Sequence, residues 1–94
     1  MPEISRFYGI VIAMFYRDHN PPHIHAYGGK NRKHPDWTAQ FLIEDGSILD
    51  GEAPDVAVRL VKDWVDLHRD ELFDAWERAV AGQIPGKVAP LRLR

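Results

Sequence analysis

Three of the five histidines, His19, His23 and His25, fall in the stretch Asp18-His19-Asn20-Pro21-Pro22-His23-Ile24-His25. Neutral imidazole is the commonest metal ligand among side chains, and two histidines one residue apart on a strand share a face where they can converge on one ion. Pro21-Pro22 stiffens the turn between the first and second histidine and lowers the entropy lost in closing a site. Asp18 beside them serves either as a fourth ligand or as the group that fixes a ring tautomer. On this pattern His19, His23 and His25 are candidate ligands of a divalent ion such as zinc, with Asp18 in support. The plain alternative is that histidines beside prolines at a loop edge serve packing and hydrogen bonding. No carboxylate stands downstream at a familiar ligand spacing.

The same residues fit a second chemistry, that of a small metal-free ribonuclease. His23 and His25 would act as general acid and base, with Arg17, Lys30 or Arg32 steadying negative charge on a phosphate. Lys30, Arg32 and Lys33 form the densest positive charge in the chain and are the candidate RNA contacts. Tyr27 and Trp37 flank that loop and have faces on which bases can stack. Against this, a solvated loop is the usual place for lysine and arginine. No motif for an organic cofactor is present.

The elements that must position these residues are read from length and pattern. Ninety-four residues, 45% of them hydrophobic, suffice for one domain over 1–94 with one core. A formal charge of −2 argues against a dedicated duplex-DNA binder, so any nucleic-acid contact is local. The absence of cysteine excludes disulfides and thiolate metal sites, leaving histidine and carboxylate as ligands. The apolar run Phe7 to Tyr16 is too short to span a bilayer and has no cleavage site, which predicts a cytoplasmic chain with no leader.

Ile4 to Tyr16 reads as one strand covered on both faces, with Gly9 marking a bulge or a close backbone approach. One of those faces is a candidate homodimer contact. Arg17 to Pro22 is a turn, because Asn20 precedes a proline and two successive prolines remove two donors. His23 to Tyr27 is a strand with His23, His25 and Tyr27 on one face and Ile24 and Ala26 toward a core. Trp37 to Glu44 alternates with Trp37, Ala39, Phe41 and Ile43 inward. Asp45-Gly46 then matches a two-residue hairpin turn, so Ser47 to Leu49 pairs back on that strand. Pro54 suits the first position of a helix, and an apolar stripe runs through Val61, Trp64, Val65, His68, Leu72, Trp76 and Ala79. That stripe favours one long helix, whereas its length favours two shorter ones broken near His68. The tail after Gly82 is extended, with no helix. The fold class is therefore α+β: an antiparallel sheet of three to four strands, with one long or two shorter C-terminal helices packed on one face.

Met1-Pro-Glu-Ile-Ser-Arg-Phe-Tyr-Gly-Ile, the Asp18-to-His25 core and the segment Leu60 to Trp76 together resemble a small bacterial family known as domain of unknown function four-one-six-zero. The His-Asn-Pro-Pro-His-x-His string carries most of the likeness, and the matching positions are Asp18, His19, Pro21, Pro22, His23, His25, Trp64 and His68. The stretch Gly28 to Trp37 departs from it in being longer and more basic. The resemblance implies a cytoplasmic bacterial protein encoded beside another small protein, in a setting similar to toxin–antitoxin pairs. It implies a binding module acting through that protein partner, with the histidine cluster as its recognition or metal site.

Overall fold

The computed structural model describes residues 2–29, 31 and 33–92. Five strands form one antiparallel sheet in sequence order: β1 (Glu3–Phe7), β2 (Ile10–Ala13), β3 (His23–Gly28), β4 (Trp37–Leu42) and β5 (Ile48–Gly51). Among the described residues one helical element, α1 (Asp55–Val80), follows them. The α+β class and the C-terminal helix are as the sequence predicts, while the sheet has five strands where three to four are expected.

The extra strand comes from the first apolar segment. Ile4 to Tyr16 is not one strand: Phe7 pairs with Ile10, and the chain reverses at Tyr8 and Gly9, whose φ angles are 49° and 77°. Two consecutive left-handed residues make a turn whose twist matches that of the flanking strands. Gly9 therefore closes a hairpin rather than marking a bulge. Ile10, Ile12 and Met14 still face the core, and the reversal brings Ile4 and Phe7 to it as well.

The second hairpin is wider than a two-residue turn. Ile43 to Ser47 form the connection, with Gly46 N–H donating to Leu42 O and Leu42 N–H to Ser47 O, both at 2.8 Å. Asp45 sets this shape, because its carboxylate accepts from the Ser47 amide at 2.9 Å and the Ser47 hydroxyl at 2.6 Å. The returning strand consequently begins at Ile48 instead of Ser47.

One face of the sheet is covered by α1. Ile12, Ile24 and Phe41 pack with Val61, Trp64, Val65 and Leu72, all essentially fully buried. Pro54 is the N-cap rather than the first helical residue, and Asp55 supplies the acidic first turn. A straight helix of 26 residues would be about 39 Å long, more than the 31 Å of the longest principal axis. The chain resolves this at His68, whose φ of −121° and ψ of 22° are non-helical and kink α1 into two helical halves at the position where the sequence places a break. The tail remains extended and docks: Val88 N–H donates to Ile4 O at 2.8 Å, Trp64 Nε1–H donates to Ala89 O at 2.8 Å, and Leu91 is buried. Among the described residues no helix is long and apolar enough to cross a membrane.

Candidate metal centre

The pleat of β3 sends Ile24 and Ala26 into the core under the helix and His23 and His25 to the other side, with their ring centroids 5.0 Å apart. The loop before the strand folds back so that Asp18 Oδ2 lies 3.0 Å from His23 Nε2 and 3.1 Å from His25 Nε2. Asp18, His23 and His25 each offer one ligand atom, and these atoms all lie within 4.8 Å of one another. An ion about 2.0–2.1 Å from each donor requires neighbouring donors roughly 2.9 Å apart in octahedral and roughly 3.3 Å apart in tetrahedral geometry. The two Asp18 distances fall in that interval.

Surrounding contacts hold the rings in place. His23 is buried, its ring 5.2 Å from Trp76 on the C-terminal half of α1. His25 is stacked nearly parallel on Phe15, centroids 4.0 Å apart and planes at 6°. His23 Nδ1 lies 2.7 Å from Pro21 O, the carbonyl that follows the cis Asn20–Pro21 peptide. A carbonyl can only accept, so Nδ1 carries the hydrogen. In neutral His23 the lone pair of Nε2 then points at the Asp18 oxygen, and two acceptors face each other. A proton on Nε2 or a metal ion between the two groups relieves that contact. Donation of the second ring N–H to a backbone carbonyl is the usual support of a metal-binding histidine.

Burial pushes the His25 ring below its ordinary pKa, and the hydrogen bond to Asp18 offsets this only in part. Burial alone would raise the Asp18 carboxyl. That effect is outweighed by the hydrogen bonds from His25 and the His19 amide and by the nearby His23, so the group is held below the usual carboxylate range. An ionised carboxylate beside a neutral imidazole is the protonation state that a cation requires.

Among the described residues the converging donors are those of this trio alone. The His19 side chain is 94% exposed, with Nδ1 3.3 Å from the other Asp18 oxygen. Arg17 takes a φ of 54° and donates its amide to Ala79 O at 2.9 Å. Its guanidinium packs over Gly82 at the end of α1, where a Cβ would meet Nη2 at 2.7 Å. Lys33 is exposed, and Lys30 and Arg32 lie outside the described residues. His68 sits at the helix bend and contacts Glu71 through Nδ1 at 2.9 Å. Phe15, Trp76 and the Pro21 carbonyl were not legible as parts of the site: the two aromatics read as core positions, and a carbonyl leaves no trace in composition.

No curated protein and no solved structure matches the chain. A family model does match over residues 9–77. That span contains Asp18, both histidines of β3 and Trp76, and it covers well over half of the sequence. The chain belongs to the family described as Domain of unknown function (DUF4160).

Proposed function

We propose that this chain is a small binding module built around a divalent transition-metal site, with Asp18, His23 and His25 as its protein ligands. The observation that carries this reading is the position of His23, whose Nδ1–H is committed to Pro21 O while its Nε2 lies 3.0 Å from the Asp18 carboxylate. Two imidazoles and one carboxylate form a donor set suited to zinc, iron, manganese or nickel, and a three-residue set leaves positions open for another ligand. His19, exposed beside the site, is not needed in the set. The module acts through a small protein partner, in an arrangement of the toxin–antitoxin kind.

Metal-free ribonuclease chemistry by the same histidines has less support, because the Arg17 guanidinium packs against Gly82 at the helix end. Isothermal titration of chelator-stripped protein with zinc, nickel and manganese tests the reading. One ion per chain for the wild type, with binding lost in His23→Ala and Asp18→Asn, is the expected result. No binding of any of the three, together with RNA cleavage that His23→Ala abolishes, would replace it with the nuclease.

A further inference from the structure

We infer that the open face of the sheet beside β5 receives an arginine-bearing extended segment of a partner protein, with the guanidinium held against Asp50. The register lays out this face, on which Val11 and Ala13 are themselves buried. Ala13 pairs with His25, His25 with Gln40 and Gln40 with Asp50, which makes one row across the face opposite the helix. Val11, Tyr27 and Thr38 make the next row. Between these rows lies a cavity of about 330 Å³ lined by Phe15, His25, Tyr27, Thr38, Gln40 and Asp50, among others. That volume is at the lower end of the range for ligand pockets, which suits a single long side chain better than a large organic molecule.

The chemistry of the wall selects a cation. Among the described residues Asp50 is the only carboxylate in the lining, and no ion pair engages it. Phe15 and Tyr27 offer aromatic faces, and the Gln40 and Thr38 side chains offer oxygen acceptors. Guanidinium fits such a wall better than ammonium: it is flat, it stacks on rings, it is weakly hydrated, and it meets a carboxylate through two parallel bonds.

The neighbouring backbone indicates that the cation arrives on a polypeptide. β5 ends the sheet, all four of its residues are exposed, and among the described residues no backbone hydrogen bond reaches its outer edge. The opposite edge, at β1, is met by the tail through Val88. A strand laid along β5 would satisfy these backbone groups, and every second side chain on it would lie on the face that carries Asp50, one of them extending the row that ends there. Ile48 and Leu49, each more than a third exposed, would be covered by the same strand.

This inference rests on the binding-module part of the proposed function and not on the metal, so its test uses chelator-treated full-length protein. The peptide acetyl-Val-Arg-Val-amide is titrated into 15N-labelled protein, beside acetyl-Val-citrulline-Val-amide and acetyl-arginine-amide. The arginine tripeptide should give saturable shifts at Tyr27, Gln40, Asp50 and the amides of β5. The neutral citrulline peptide, and the arginine tripeptide with Asp50→Asn protein, should each bind at least about tenfold more weakly, as loss of a charged hydrogen-bonded pair implies. Equal binding by the citrulline peptide, or no saturable shift, would overturn the inference. Equal binding by acetyl-arginine-amide would overturn the added strand by making the cavity a small-molecule site. Self-association through β5 that excludes the tripeptide would assign the edge to a second copy and overturn it too. A protein partner that binds while leaving these resonances unmoved would sink this inference and leave the binding-module reading standing.

Discussion

Asp18 Oδ2 sits between two imidazole nitrogens at 3.0 and 3.1 Å, so one carboxylate oxygen holds the cluster together. Asp18→Asn keeps the size of the side chain and removes the charge. The variant should fold, and its melting temperature should no longer respond to zinc, nickel or manganese at pH 7.5; a response equal to that of the wild type would remove Asp18 from the ligand set. The metal-free protein carries its own pH signature. A histidine whose native pKa lies below its unfolded value of about 6.5 leaves the native state with fewer bound protons than the unfolded state. Burial does this to His25. Stability is therefore greatest above that pH and declines as pH falls from about 6.5 toward the native value. Asp18, also depressed, has the carboxylate sign: its contribution is present above about 3.9 and is lost as pH falls through the native value. Melting temperature should drop between pH 7.5 and pH 5.5 in the wild type and drop less in His25→Gln. Identical slopes would show that His25 is not the titrating group. Because bound histidine must be neutral, metal affinity should fall over the same acid limb, and the depressed His25 should carry binding somewhat below the pH expected of free imidazole.

At the scale of the elements, β3 was legible because Ile24 and Ala26 alternate with His23, His25 and Tyr27, and period two needs no tertiary information. The hairpin from β1 to β2 was not legible. Tyr8 is an unusual residue for a left-handed turn position, and apolar residues on both sides of it hid the reversal. The wide turn around Asp45 was missed for a different reason: the Asp-Gly pair is present, but the carboxylate bonds to Ser47 and draws more residues into the loop. The helix supported two readings, and both survive in part, since one element contains a bend at His68. In the site, spacing placed His23 and His25 correctly on one face. It could not tell which of Asp18 and His19 turns inward, because side-chain direction in a turn follows no period. The strand pairing makes a prediction of its own. At Gly28 a Cβ would lie 2.5 Å from the Trp37 indole across the β3–β4 pair. Gly28→Ala should therefore cost about 1–3 kcal/mol, as overpacking of a close contact does. Urea denaturation reads this directly, and an unchanged midpoint would mean that Trp37 does not pack over β3.

At the scale of the whole molecule, the site lies where the loop after β2, the start of β3 and the second half of α1 meet. Trp76 closes over His23, and the Arg17 amide ties the loop to Ala79 O at the helix end. An ion held there bridges the loop and the sheet, so occupancy should stabilise the entire fold. At one hundred times the dissociation constant the gain is about 2.7 kcal/mol. For a domain of this length that corresponds to a rise in melting temperature of about 10–20 °C. His19→Ala should retain this rise, since that ring is in solvent, whereas His23→Ala should lose it. The central claim is one of position, and anomalous diffraction from crystals of the zinc-loaded protein at the zinc absorption edge tests it most directly. The expected result is a single strong peak about 2.0–2.2 Å from Asp18 Oδ2, His23 Nε2 and His25 Nε2. Zinc bound only elsewhere, at His34 or between His68 and Glu71 for instance, with no anomalous density among those three side chains, would contradict it.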